Sequence, residues 1–393
     1  MQVKAFSSFF GDFMLKKKQL NKKINNSLTI AKRGFALQFS WIFVLIGGAI
    51  FLGFFISLIR NLDVGESQQT SQESTQELES LLKISSAVSD TQKIVLFKAE
   101  KEILFSCIDE VSEYRIEGAI KSARYDYNVI FSPDKLKDDK MVIQASVFEA
   151  PFRVIPVVYL TDKKIEYVFV GDSPLINILF NSMPSGAIKK TIPSSDLPWA
   201  FVNYPDNNYD HVVFILDDDD EYLLTSLANF NNANDRVFAV MLTTFGSIDW
   251  GELRFYKYLS NSFTLDGAKV PFLETSLDQQ KSILALGGVI SHNREIYECN
   301  LKKILRKLAL MAELHNQRLN VYKDYYATAP TANTPLDCNL YYRGAQGNLS
   351  FMVYADGSTL PSAEDFMNTR LAVNYLETIN RLIMILGDCA RIY

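Results

Sequence analysis

An uncharged run from Phe35 to Ile59 constrains this chain more than any other feature of its sequence. It reads FALQFSWIFVLIGGAIFLGFFISLI, with Lys and Arg residues on both sides. At ~1.5 Å per residue, a helix of this length reaches roughly 37 Å, enough to cross a hydrocarbon core of about 30 Å. A cleaved secretory signal has a shorter apolar region followed by a small-residue cleavage site, and this run has neither property. The sequence therefore predicts one transmembrane helix at residues 35–60 that is retained as an anchor.

The net charge of the chain changes sign at this run. The chain carries 40 Lys and Arg against 45 Asp and Glu, a net charge of -5. Residues 1–34 hold eight basic side chains and one acidic side chain, a net charge of +7, which leaves -12 for the rest. Because positive charge before a first span stays inside the cell, we expect a basic cytoplasmic leader and an extracytoplasmic body. The acidic body argues against nucleic acid as a partner.

Small side chains recur every fourth residue in the predicted span, at Ala49, Gly53 and Ser57. This spacing places them on one helix face, where a second helix can approach closely. The pattern would suit a homo-oligomer or a membrane protein partner, but Gly and Ala are common in spans, and a span without a specific contact is the simpler interpretation.

The residues Lys32, Arg33 and Gly34 precede the apolar run. This arrangement is similar to the processing site of archaeal type IV pilin-like proteins. The resemblance covers about thirty residues and implies cleavage after Gly34, with the apolar helix packed into a filament. The fifth residue after Gly34 is Phe39, where many members of that family have Glu.

Residues 65–80 follow the span and consist almost entirely of Ser, Thr, Gln, Glu and Gly. Such a segment buries too little apolar surface to offset the entropy lost on ordering. We therefore predict a flexible stalk over residues 61–90.

Beyond the stalk, apolar runs bounded by polar turns indicate strands. Residues 165–170, 212–216 and 237–242 are mostly apolar, and the first two runs lead into apolar-faced helical segments. Strands that are apolar on both faces and alternate with helices favour a parallel or mixed sheet covered on each side. We assign residues 91–270 to an extracytoplasmic α/β domain.

The last third, residues 271–393, is predicted to be mainly helical and packed on this domain. Apolar residues recur with a period near 3.6 between residues 296 and 325 and again between 371 and 385. Between these helices, the sequences LYYRG and LSFMVYADG suggest one hairpin.

All four cysteines, Cys107, Cys299, Cys338 and Cys389, follow the predicted span, on the side of the membrane where disulfides persist. Four thiols allow three pairings. A 12-residue loop before Cys338 is long enough to return along the helix that Cys299 begins, so we expect a disulfide between these two cysteines. Buried free thiols are the alternative.

Gly171, Asp172 and Ser173 end an apolar strand and resemble the nucleophile block of GDS-type lipases and esterases. That family places an Asp three residues before its catalytic His, and none of the three histidines here has one. Asp and Ser are also the residues expected to cap the helix that follows. We therefore expect a cap at this turn.

Asp217–Glu221 form an acidic turn after another apolar strand, at the edge where open α/β sheets place ligands. Carboxylates there can bind Ca²⁺ or Mg²⁺, with Asp217 and Asp219 as ligands. Their spacing also resembles the first motif of haloacid-dehalogenase-like phosphatases, which implies Asp217 as nucleophile and Asp219 as acid/base. Glu221 occupies a position where that family usually has Thr or Val, and a solvated turn that caps a helix remains the simpler interpretation.

The sequence thus predicts a single-pass, membrane-anchored envelope protein that acts by binding or assembly. It has no phosphate-binding Gly-Lys loop, dinucleotide-binding Gly motif or His-Glu-x-x-His motif. The alternatives are a membrane-tethered, metal-dependent hydrolase that uses the acidic turn and a type IV pilin-like subunit.

Overall fold

The structure, a computed structural model, describes residues on both sides of the predicted stalk. The described residues are 44–53, 75–76, 78–80, 82–83, 91–119, 122–125, 128–193, 209–218, 224, 236–245, 250–260, 262–274, 282–328, 337–353, 362–386 and 389–393. Contacts divide the chain into two units, Met1–Glu66 and Ser67–Tyr393. The predicted leader lies outside the described residues.

In the first unit, residues 44–53 form a helix, α1. Its ten residues are all apolar, and all are exposed except Gly47, which is partly buried. Within the part of the chain that the structure describes, no helix has both the length and the apolar content needed to cross a bilayer. The rest of the predicted span at 35–60 lies outside that part.

The first sheet of the second unit is almost wholly antiparallel. Its six strands are β1 (Gln92–Ile108), β2 (Val111–Ile116), β3 (Ala123–Tyr125), β4 (Val129–Phe131), β5 (Lys135–Glu149) and β6 (Arg153–Asp162). They lie in the order β3-β2-β1-β5-β6-β4. Only the short outer strand β4 runs parallel to its neighbour, with Ile130 opposite Val158.

The second sheet is mixed. Its seven strands are β7 (Ile165–Val170), β8 (Ile188–Ile192), β9 (His211–Asp217), β10 (Val237–Thr244), β11 (Trp250–Leu259), β12 (Ser262–Leu265) and β13 (Val270–Leu273). The order is β12-β11-β10-β9-β7-β8, with β13 also paired to β11. Strands β7 to β10 are parallel to one another, and β11 to β13 are antiparallel to their partners. The predicted mixed α/β fold is confirmed, and its sheet extends three residues past the predicted boundary at 270.

Both faces of the second sheet are buried at β7, β9 and β10, which explains why these central strands read as apolar runs. Tyr167 and Phe169 of β7 point into the main core, whereas Val168 and Val170 belong to a second core cluster with Leu224. Because side chains alternate between the two faces of a strand, this division has the expected period of two.

Five helices of the second unit have bounds within the described residues. They are α2 (Pro174–Ser182), α3 (Leu284–Ser291), α4 (Arg294–Thr328), α5 (Asp337–Val353) and α6 (Ala363–Leu386). Every residue of α3 is buried. A Cβ atom added at Gly287 of α3 would lie 2.6 Å from the ring of Phe131 in the first sheet, and one added at Gly288 would overlap Leu253 in the second. The two glycines therefore let α3 pack closely between the sheets.

The helical C-terminal third is confirmed, but the predicted hairpin is wrong. The first segment and residues 349–353 of the second lie in one helix, α5, whose buried residues are Cys338, Tyr342, Ala345, Leu349 and Met352. Intervals of three and four residues bury one face of a helix. Of the described aromatic residues in these segments, Tyr342 packs on this face, Tyr341 is partly buried and Phe351 is 52% exposed.

The prediction of a stalk at 61–90 is also wrong for the residues that the structure describes there. Residues 75–76, 78–80 and 82–83 are helical. Leu78 and Leu82 are fully buried in the main core, and Thr75 accepts a hydrogen bond of 3.3 Å at its carbonyl oxygen from the Tyr114 hydroxyl. Two leucines four residues apart on one helix face are enough to dock this otherwise polar segment.

Candidate functional sites

The two turns singled out in the sequence lie side by side in the fold. Asp172 follows β7 and Asp217 ends β9, and these strands are adjacent and parallel, with Phe169 opposite Ile215. The chain leaves β7 toward β8 on one side, while β9 and β10 lie on the other. This is the topological switch point of the parallel strands, where open α/β sheets usually bind ligands.

Ser173 at this edge is a helix cap, as predicted. Its side chain accepts a hydrogen bond of 3.4 Å from the backbone N–H of Ile176, in the first turn of α2. Asn177 donates a hydrogen bond of 2.9 Å to the carbonyl oxygen of Asp172. His211 lies at the start of β9, at the opposite end of the parallel strands from Ser173, so it does not supply a base for Ser173.

Polar contacts with neighbouring residues hold the described part of the acidic turn in place. The Asp217 carboxylate accepts a hydrogen bond of 2.8 Å from the backbone N–H of Asp218, and Asp218 forms an ion pair of 3.2 Å with Arg254. Among the described residues, no group of three His, Cys, Asp or Glu side chains is placed to hold a metal ion. Asp219 lies outside those residues, so the predicted metal site remains a prediction.

A larger candidate site lies between the first sheet and helices α2 and α3. It is a half-open cavity of about 620 Å³, inside the range of roughly 300 to 1,000 Å³ common for small-molecule sites. Six hydroxyl groups line it, from Thr91, Ser146, Tyr159, Ser182, Ser185 and Ser282. Three amide side chains, Gln92, Gln144 and Asn181, and four apolar residues, Ile178, Met183, Ile283 and Leu286, complete the lining.

Hydrogen bonds within the protein hold several of these polar groups in place. Gln144 donates a bond of 3.2 Å to the carbonyl oxygen of Ser182, and the Tyr159 hydroxyl donates one of 2.9 Å to that of Ile283. The side chains of Ser185 and Gln92 are hydrogen-bonded at 2.9 Å. The wall of the cavity is therefore organised without a ligand.

Glu274 lies directly behind this wall and fixes the start of α3. Its carboxylate accepts hydrogen bonds from the hydroxyl of Ser282 at 2.6 Å, from the backbone N–H of Ile283 at 2.7 Å and from that of Ala285 at 2.8 Å. Burial raises the pKa of Glu274 to about 7, and the hydrogen bonds oppose that rise. A carboxylate is well suited to this place because the first N–H groups of a helix lack intrahelical partners.

A second cavity, of about 300 Å³, lies at the amino ends of β7 and β9. Its ionisable lining residues are Lys135, Lys137, Asp162, Asp210, His211 and Arg236. Burial raises the pKa of Asp162 to about 6, although its carboxylate accepts backbone hydrogen bonds from Lys137 and Lys164. Positively and negatively charged side chains both line this cavity, and several of them contact other groups of the protein.

Two histidine rings meet beside this charged cavity. The rings of His211 and His292 are perpendicular, with centroids 5.8 Å apart, and Phe238 packs against both. His292 is 3% exposed, and burial lowers its pKa to about 3. Burial also lowers the pKa of His211. Both rings are therefore neutral at pH 7.

The cysteines pair differently from the sequence prediction. The structure joins Cys107 to Cys299 and Cys338 to Cys389, so the predicted bridge between Cys299 and Cys338 is wrong. Cys299 is near the start of α4, and this end of the helix docks on the first sheet, where Asn300 donates a hydrogen bond of 2.7 Å to the Ile130 carbonyl oxygen. The prediction considered the length of the loop but not the sheet against which the helix packs.

In α1, Ala49 and Gly53 are exposed, and a Cβ atom added at Gly53 would meet nothing within 4 Å. Ser57 lies outside the described residues. The predicted helix contact through this stripe therefore remains a prediction.

Sequence reasoning missed the large cavity entirely. Its polar residues are ordinary Ser, Thr, Gln and Asn side chains scattered from residue 91 to 282, and only the fold brings them together. The sequence offered one signal, because Glu274 and Asp278 are the two carboxylates shortly before the apolar segment ILALGGVI. Comparison with protein-family models, curated proteins and solved structures found no match to this chain.

Proposed function

We propose that this chain is a single-pass, membrane-anchored binding protein whose body lies outside the cytoplasmic membrane and binds a small molecule in the 620 Å³ cavity. The observation that carries the proposal is the cavity itself, with its convergent polar groups and apolar floor. A cavity with apolar walls and a few convergent polar groups is the default candidate for a ligand-binding site.

Three features support the anchor and its orientation. The charge of +7 before the apolar run favours a cytoplasmic N-terminus. Helix α1 exposes apolar side chains all round, including Ile50 and Phe51, each 67% exposed, which suits a lipid environment. Two disulfides suit an oxidising compartment.

Topology is tested with single cysteines introduced into the full-length chain in intact cells, using a maleimide that does not cross membranes. Ser262→Cys lies at an exposed position of β12, and Ser7→Cys lies in the leader. We expect Ser262→Cys to be labelled in intact cells and Ser7→Cys only after permeabilisation. Labelling in the reverse order would overturn the proposed orientation. A mature N-terminus at Phe35 would favour the pilin-like alternative.

Binding is tested by saturation-transfer NMR on the purified full-length chain with a mixture of small charged and uncharged fragments. Asn181 is exposed at the rim of the cavity, so Asn181→Trp narrows the entrance without disturbing the core. We expect fragments to bind the wild type and to be lost in this variant, while Ser262→Ala, far along the sequence and exposed, leaves binding unchanged. Equal binding to Asn181→Trp would remove the cavity as the site.

A metal-dependent hydrolase is the second candidate, because Asp217 lies at the switch point of the parallel strands. Calorimetry with Ca²⁺ and Mg²⁺ tests it. Heat that disappears in Asp217→Asn would support a metal site, and the absence of heat with either ion would eliminate it.

A further inference from the structure

We propose that the ligand of the 620 Å³ cavity is an uncharged, hydroxyl-rich molecule of the saccharide or polyol class. This inference rests on the proposed function and adds the chemical class of the ligand. It depends on the charge of the cavity, the direction of its hydrogen bonds and the distribution of its apolar residues.

The first argument is charge. No carboxylate, ammonium, guanidinium or imidazole group is among the described residues that line the cavity. A charged ligand would leave water there without an opposite charge to pair with, and burying an unpaired charge is strongly unfavourable. The charged cavity near His211 shows the contrast, because lysine, arginine and aspartate side chains line it. The large cavity therefore selects neutral ligands.

The second argument is the direction of the hydrogen bonds. A serine hydroxyl has one proton, and Ser282 donates its proton to Glu274 at 2.6 Å, so its oxygen faces a ligand as an acceptor. Gln144 donates one amide N–H to the Ser182 carbonyl oxygen, which leaves its side-chain oxygen as an acceptor and its second N–H as a donor. A wall that offers both acceptors and a donor matches ligand hydroxyl groups, because a hydroxyl group is neutral and can both donate and accept.

The third argument is the mixture of surfaces. Ile178, Met183 and Leu286 provide apolar contact beside the polar groups. A sugar ring has C–H faces as well as a rim of hydroxyl groups, so it can use both kinds of surface at once. Because Glu274 holds Ser282 in position before a ligand arrives, little ordering is needed on binding, which favours affinity.

The test uses calorimetry on the full-length chain in an amine-oxide detergent, since the sugar head group of a maltoside would compete. The probes are glucose, galactose, maltose and glycerol, with glucuronate and glucosamine as matched charged counterparts and glycylglycine as an amide ligand. We expect at least one neutral sugar to bind at least 10-fold more tightly than its charged counterparts. Gln144→Leu should weaken that binding at least 10-fold, and Ser262→Ala should not change it.

Ser282→Ala should weaken binding as well, but it also removes a partner of Glu274, so Gln144→Leu, checked for folding by circular dichroism, decides the outcome. Tighter binding of a charged probe or of glycylglycine, blocked by Asn181→Trp, would overturn the saccharide class and leave the proposed function intact. If neither these probes nor the NMR fragments bind the wild type, both proposals fail.

Discussion

The carboxylate of Glu274 and the hydroxyl of Ser282 are hydrogen-bonded at 2.6 Å where the cavity meets the buried helix α3. The same carboxylate also accepts the N–H groups of Ile283 and Ala285, so one side chain holds both the helix start and part of the cavity wall. Protonation of Glu274 would weaken these bonds, but it would also remove the larger cost of burying the charge. Stability and cavity geometry should therefore both depend on pH.

Glu274→Gln should change how stability depends on pH. The folded protein raises the pKa of Glu274 from 4.5 to about 7, so it binds this proton more tightly than the unfolded chain does. The resulting stabilisation is fully present below pH 4.5 and is lost as pH rises through 7. Glutamine resembles the protonated acid and does not titrate. From pH 4.5 to 8, the free energy of unfolding of the variant should therefore rise relative to the wild type, by at most roughly 3 kcal/mol because Glu274 is partly exposed.

Urea unfolding at several pH values measures this difference. Glu364→Gln, at an exposed position in the first turn of α6, is the matched control and should show a nearly constant difference from the wild type. A difference for Glu274→Gln that stays constant across the range would contradict the assigned role.

His292→Asn should have the opposite effect on acid stability. The pKa of His292 falls from 6.5 to about 3 in the folded protein, so the unfolded chain takes up the proton first as the pH falls. The stabilisation of the wild type by the neutral His292 ring is present above pH 6.5 and is lost toward pH 3. The free energy of unfolding then falls by at most roughly 4 kcal/mol. Asn does not titrate and tolerates the left-handed conformation of residue 292, whose φ is 35°.

Thermal unfolding between pH 7 and pH 4 tests this prediction. The variant should be less stable than the wild type at pH 7, because it loses ring contacts with Phe238, and the gap should shrink on acidification. Between pH 7 and 8 the gap should hold steady. A gap that widens in acid would show that His292 is not the group that titrates.

Two helical glycines should respond in opposite ways to alanine. At Gly287, the new Cβ atom would lie 2.6 Å from the ring of Phe131, so Gly287→Ala should lower the free energy of unfolding by about 1 to 3 kcal/mol. Gly347 is exposed within α5, with nothing within 4 Å of the added atom. Gly347→Ala should raise stability by up to about 1 kcal/mol. Urea midpoints measure both, and a stabilised Gly287→Ala would show that α3 is not packed tightly between the sheets.

Removing either disulfide should destabilise the body. The bridge from Cys107 to Cys299 spans 192 residues and that from Cys338 to Cys389 spans 51. Loop-closure entropy then predicts losses of about 5 and 4 kcal/mol for the paired serine substitutions, as upper values. Non-reducing peptide mapping provides the direct check. A peptide that joins Cys299 to Cys338 would contradict both bridges.

The local sequence pattern was sufficient to predict structure wherever the stabilising contacts are local or periodic. Strand β7 was predicted at residues 165–170, the residues it occupies in the structure, because a strand buried on both faces is a short apolar run between turns. The cap at Ser173 was predictable for the same reason, since its bond to Ile176 spans only three residues.

Prediction failed where a segment's environment lies far along the chain. Leu78 and Leu82 have a polar neighbourhood in sequence but are buried in the main core. Cys299 pairs with a cysteine 192 residues away because the start of α4 packs on the first sheet. Composition averaged over a window and loop length between neighbours contain no information on such contacts.

The sequence by itself determined the charge division, the apolar run, the parallel strands and the long C-terminal helices, because each is a property of neighbouring residues or of a short period. Only the tertiary structure decided the cavity, the bridges and the switch point. Gln144 and Ser282 are 138 positions apart, and they line one cavity only because α3 packs against the first sheet. A binding site made of uncharged side chains has no distinctive pattern in the sequence, so it forms only when the fold brings those side chains together.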